Sequence, residues 1–206
     1  KGQYSPTSKV GTRSPSTPDG SIDRPLSPCA IAFGAGAAFV ARSIDTEMKH
    51  LSAVVKEAHA HEGASFVEIL QNCPIYNDGI FEQVKNKKIA PDFRVEAEHG
   101  QPLLFGKDKN KGIRLNSETL SLEVVNLGEN AELDDILVHN QTNLEQAQLL
   151  AAMQGPDFPV AIGILYYNPV TAYVADVSDQ KLKLRESRGQ GDLGKLLLSG
   201  HTWEVK

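Results

Sequence analysis

The sequence predicts an α/β fold: a parallel sheet with flanking helices, followed by a C-terminal α+β appendage. Two short apolar segments, Ala38–Arg42 and Ser65–Leu70, flank an amphipathic helical stretch. Strand, helix and strand within about thirty residues make a βαβ unit, whose strands run parallel. From residue 84 the pattern changes to short segments broken by Gly, Pro and Asn, as in hairpins. Residues 1–28 form a third region rich in Ser, Thr, Pro and Gly. The expected organisation is therefore 1–28 irregular, 29–83 α/β and 84–206 appendage.

Composition bounds the function. The 206 residues are 40% hydrophobic and 23% charged, enough to bury a core. Lys plus Arg number 21 against 26 Asp plus Glu, a net charge of −5 that argues against a dedicated nucleic-acid or anionic-membrane binder. No apolar run approaches the roughly 20 residues of a spanning helix, and no charged-then-apolar leader opens the chain. Two cysteines cannot make a disulfide scaffold and fit a reducing, cytoplasmic compartment. The chain starts at Lys1, without Met, and is expected to be cut from something longer.

The elements follow in order. Pro6, Pro15, Pro18, Pro25 and Pro28 fix φ and remove donors, so neither helix nor sheet runs through the first region. It is either a flexible tail or a long loop over a functional site. Pro28-Cys29-Ala-Ile-Ala-Phe-Gly is small and apolar, suited to a short buried helix, with Cys29 as packing. Asp45 or Ser43 is positioned to cap the next helix, in which Met48, Leu51, Val54, Val55 and Ala58 form an apolar face. His59 and His61 read as solvated helix-end residues, and Gly63 as a left-handed stop. Phe93–Glu98, Leu103–Gly106, Gly112–Leu115 and Thr119–Leu127 read as antiparallel hairpins. Leu144–Met153 is a helix, Val160–Tyr167 a buried strand and Asp192–Ser199 a short terminal helix.

Most chemical motifs are missing. There is no Gly-x-Ser-x-Gly elbow and no Walker A loop. Gly34-Ala-Gly36 lacks the third glycine of a dinucleotide loop and precedes its strand, so close helix packing explains it better. His50, His59 and His61 lack metal-ligand spacing, and Glu129–Asp135 reads as solvated surface. Cys73 differs. It sits in a polar turn, Asn72-Cys73-Pro74-Ile75-Tyr76-Asn77-Asp78, beyond a strand C-terminus, where α/β proteins place functional groups. A cysteine followed by proline at a turn suits an iron–sulfur cluster ligand. One cysteine cannot hold a cluster, so the other ligands would come from outside this chain.

The residues now point to a family. Lys1-Gly2-Gln3-Tyr4-Ser5-Pro6-Thr7-Ser8, Pro25-Leu26-Ser27-Pro28, Phe39-Val40-Ala41-Arg42, Lys49-His50-Leu51 and the run from Val67 to Asp78 stand in order along the chain. Together they resemble the β subunits of the 2-oxoacid:ferredoxin oxidoreductases, in particular the 2-oxoglutarate type. The segments Asp134–His139 and Gly200–Trp203 resemble the end of these subunits, and residues 84–130 are least diagnostic.

The resemblance implies a partial thiamine-diphosphate-binding sheet. It also implies an activity, the coenzyme A-acylating oxidative decarboxylation of a 2-oxoacid, with electrons passed through a [4Fe–4S] cluster to ferredoxin. The implied cofactors are thiamine diphosphate, Mg²⁺ and the cluster, all incomplete in this chain. The implied partners are an α subunit, ferredoxin, the 2-oxoacid and coenzyme A, with no nucleic acid and no membrane. By the same resemblance Lys1 faces the substrate carboxylates, Lys49 is a second substrate-binding cation near the substrate entrance, Gly2 and Gln3 lie beside the thiamine cofactor, and Cys73 is a cluster ligand. The family's Gly-Asp-Gly motif and its other three cluster cysteines are absent, so the chain is expected to be a C-terminal portion, inactive alone. Two alternatives stay open: a non-catalytic subunit-docking module, and a fragment of a cluster-free thiamine-dependent decarboxylase.

Overall fold

The structure is a computed structural model, and it describes residues 2–203 and 205. It falls into two compact units, one ending at Pro169 and the other starting at Val170.

The first unit holds a mixed sheet. Strands β1 (Phe39–Ile44) and β2 (Ser65–Leu70) are joined by helix α2 (Met48–Ala60) and run parallel, Phe39 opposite Ser65 through Ile44 opposite Leu70. The expected βαβ unit is therefore present. Helix α1 (Pro28–Gly34) precedes it. The Ser27 side chain accepts a hydrogen bond from the Ala30 amide, and Pro28 opens the first turn, where its missing N–H costs nothing.

Strands β3 (Arg94–Ala97) and β7 (Val160–Tyr167) complete the sheet in the order β2-β1-β7-β3. Strand β7 runs antiparallel to β1, and β3 runs parallel to β7. The hairpin expectation for Phe93–Glu98 is thus corrected. Val95 and Ala97 are buried against the core, and this burial draws the segment into the main sheet. Gly163 makes the approach possible: a Cβ there would lie 2.6 Å from the Ala97 carbonyl oxygen, and φ is 115°. Strand β2 stands at the free edge of this sheet, regular in register along all its length.

A second, antiparallel sheet, β4 (Leu104–Phe105), β5 (Lys111–Asn116) and β6 (Ser121–Asn126), matches the expected hairpins. Short helices α3 (Glu82–Lys85) and α4 (Ala90–Phe93) precede β3, and α5 (Leu144–Ala152) precedes β7. Asn143 caps α5 by accepting from the Gln146 amide at 2.8 Å. The main core gathers Val40, Leu103, Ile113, Leu150 and Leu165 with residues of α1.

Two local expectations change. Neither Asp45 nor Ser43 caps α2: its N-cap is Glu47, without a side-chain bond. Asp45 instead pairs with Lys85 at 2.8 Å, and the Ser43 hydroxyl lies 2.8 Å from His50 Nδ1. His61 is buried rather than solvated. Its Nε2 donates to the Asn168 carbonyl at 3.0 Å, and its ring packs between Phe39 and Tyr167.

The second unit contains α6 (Tyr173–Arg188) and α7 (Leu193–Leu197). Helix α6 was not expected, whereas α7 was. Neither helix buries a residue. Among the described residues, no helix is long and apolar enough to cross a membrane.

Candidate functional site

The Cys73 turn is a closed loop at the C-terminal end of β2. The Asn77 amide donates to the Cys73 carbonyl at 2.9 Å. The Asn72 side chain ties the loop's base, donating to Asp78 Oδ1 at 2.7 Å and accepting from the Gly79 amide at 2.9 Å. These bonds hold the backbone, while the Cys73 thiol is exposed.

The first-region loop meets this turn. Gly2 is buried with φ of 79°. A methyl group there would lie 3.2 Å from the Pro15 ring and 3.6 Å from Cε1 of Tyr76. Gly2 and the Cys73 turn, 70 residues apart in sequence, therefore sit side by side. Gln3 is exposed and lines an open groove of about 440 Å³ with Tyr4, Asp23 and Arg24. The Tyr4 hydroxyl donates to Asp23, whose carboxylate pushes the phenol's pKa up.

Lys49 is not brought to this place. It is exposed on α2, in a groove with Met48, Ser52, Lys56 and Glu57 to which no residue of 2–28 contributes. Lys1 lies outside the described residues.

Sequence reasoning missed a buried polar cluster on β1 and β2. Arg42 and Glu68 face each other across β1 and β2, with Nε 2.7 Å from Glu68 Oε2. Arg42 also donates to the Ala161 carbonyl at 3.2 Å. The Cys29 thiol donates to Glu68 Oε2 at 3.2 Å, so Cys29 is more than a packing residue. Burial pushes the Cys29 thiol up to about 12, with Arg42 opposing, and the group stays protonated. The available signal was one charge in each of two otherwise apolar strand segments, since a buried charge needs a partner.

Among the described residues, no three His, Cys, Asp or Glu side chains group as a metal site. Among the described residues the exposed Cys73 thiol could offer at most one ligand, and no complete cluster or Mg²⁺ site is formed.

No family model matches the chain. A 2-oxoglutarate oxidoreductase subunit KorB from Mycobacterium tuberculosis is 36% identical over 210 residues, covering 100% of this chain and 55% of that protein. The chain belongs to the β subunits of the 2-oxoacid:ferredoxin oxidoreductases. The β subunit of the Saccharolobus solfataricus 2-oxoacid:ferredoxin oxidoreductase is 38% identical over 89 residues, 43% of this chain and 29% of that family member. A solved 2-oxoglutarate:ferredoxin oxidoreductase from Magnetococcus marinus, with 2-oxoglutarate, coenzyme A and succinyl-CoA bound, superposes with a TM-score of 0.64. It shares 21% identity, and the match covers 98% of this chain and 54% of that one, a likeness of fold. The chain thus spans about half the length of the mycobacterial family member, at 55%.

Proposed function

We propose that this chain serves as part of the β subunit of a 2-oxoglutarate:ferredoxin oxidoreductase, working with an α subunit, coenzyme A and ferredoxin. The whole-chain identity of 36% to the mycobacterial subunit carries this reading. In it, Cys73 contributes one thiolate to a [4Fe–4S] cluster whose other ligands lie elsewhere. Thiamine diphosphate, when bound with Mg²⁺, supplies the carbanion stabilisation that decarboxylation needs. Gly2 and Gln3 lie beside that cofactor. Lys1 attracts the carboxylates of 2-oxoglutarate, because a cation strengthens anion binding in a shielded cleft, while the exposed Lys49 acts further out, at the substrate's entrance.

Support for the cluster role is geometric. The thiol is exposed, and the turn that carries it is tied at both ends. The test is co-expression of the complete coding region containing this chain with the α subunit. The expected product is a brown protein that reduces ferredoxin with 2-oxoglutarate and coenzyme A. A Cys73→Ala variant should lose the cluster's absorbance and paramagnetic signal, and its full retention would overturn the ligand assignment.

The subunit-docking reading has its own observation. Leu193, Leu196, Leu197 and Leu198 of the second unit are 70, 68, 70 and 76% exposed. A complex that forms with the α subunit but shows no turnover and no cluster would favour it.

A further inference from the structure

We propose that a cavity beneath the first-region loop binds a small ligand with a carboxamide or lactam edge on a compact apolar body. The cavity measures about 220 Å³. That is below the ~300 Å³ of drug-sized pockets, so it admits a fragment-sized molecule. Its apolar walls come from Leu70, Phe81, Phe93, Met153, Phe158 and Val160. Thr7, Lys9 and Leu26 of the loop close one side.

The polar groups define the head group. Arg42 and Glu68 both line the cavity, and Arg42 is only 6% exposed. Glu68 Oε2 is occupied, accepting from Arg42 Nε at 2.7 Å and from the Cys29 thiol at 3.2 Å. Among the described residues, none donates to Glu68 Oε1. That oxygen keeps contact with solvent rather than being orphaned, so it is free to accept from a donor on an occupant of the cavity. Lys9, also lining the cavity, makes no ion pair among the described residues and can donate to an acceptor. A simple carboxylate would set its charge against Glu68, and a simple amine would set its charge against Lys9 and Arg42. An amide edge presents a donor and an acceptor side by side and satisfies both. An occupant would also bridge the loop and the end of β2, from which the Cys73 turn departs. This inference is independent of the oxidoreductase reading.

The test is titration of the chain with benzamide, followed by saturation-transfer NMR, with benzoate and benzylamine run in parallel. Benzamide should saturate and bind at least fivefold tighter than either charged analogue, and Glu68→Gln should weaken it by fivefold or more. Glu68→Gln disturbs a buried ion pair, so Leu26→Trp provides a second arm: Leu26 is 53% exposed at the mouth, and a larger ring there should block entry without unfolding the chain. Equal binding of the three probes, no saturation by benzamide, or benzamide binding unchanged by Leu26→Trp would each overturn the proposal.

Discussion

Gly2 packs against Tyr76 so closely that a methyl group on Gly2 would touch the tyrosine ring at 3.6 Å. This contact joins the Ser/Pro-rich loop to the turn that presents Cys73. It rests on a residue with no side chain, in a left-handed backbone conformation with φ of 79°.

Gly2→Ala should therefore loosen the loop. The left-handed conformation costs an L-residue about 1–2 kcal/mol, and the Pro15 ring at 3.2 Å leaves little room for the new methyl. Hydrogen exchange should show faster amide exchange through residues 2–17 and at Asn77, whose amide is bonded to the Cys73 carbonyl. Unchanged exchange at both places would contradict the contact.

The Arg42–Glu68 pair should be the molecule's most sensitive charge interaction. Its side chains are 8% and 17% exposed. Removing one partner leaves a buried, unpaired charge, at a cost of roughly 3–5 kcal/mol. Arg42→Ala should lower the urea midpoint sharply, whereas Arg42→Met combined with Glu68→Leu should lower it less. Equal losses in the single and double variants would show that charge pairing is not what matters here.

The two cysteines should separate chemically. Cys73 is exposed, whereas Cys29 is buried, and burial pushes its thiol pKa up to about 12 and holds it protonated. Iodoacetamide should modify one thiol in the native chain and two after unfolding. Cys73→Ala should abolish native labelling and leave the melting temperature unchanged, because an exposed side chain contributes little to packing.

Stability should fall in mild acid. Burial lowers the pKa of His50 and of His139, whose Nε2 lies 2.8 Å from the Ile164 carbonyl oxygen. In the folded chain both lie below the ordinary histidine value of 6.5, so the unfolded chain takes up protons first as pH falls. The contribution of these neutral rings is fully present above the unfolded value. It is lost as pH drops through 6.5 toward the depressed folded values. Thermal melts between about pH 7.5 and about pH 5.5 should show this decline, and His139→Asn should flatten it.

How far the sequence reveals this molecule depends on where the information resides. The βαβ unit was legible because Phe39–Ile44 and Ser65–Leu70 are apolar runs around an amphipathic helix. Strand β3 was not, because four residues beginning at Arg94 look alike in a hairpin or a parallel sheet. Only their meeting with Val160–Gly163 decides between the two. Helix α6 was invisible to periodicity because it buries no face. His61 was misjudged because its burial depends on Tyr167, more than 100 residues away. At the candidate site, the Cys73 turn was legible from its own residues, whereas its contact with Gly2 and the Arg42–Glu68 cluster are products of the tertiary fold.

Strand β2 has one more consequence. Its outward amides and carbonyls lie along an open margin with no bulge and no proline, and its one charge, Glu68, is engaged with Arg42. Proteins usually blunt such margins, because another chain can hydrogen-bond directly onto them. The concentration at which the purified chain begins to cloud therefore becomes a gauge of whether this margin is sheltered. Ile69→Lys, at a position 44% exposed on the strand, should raise that concentration, and a natural partner laid along the strand should raise it further.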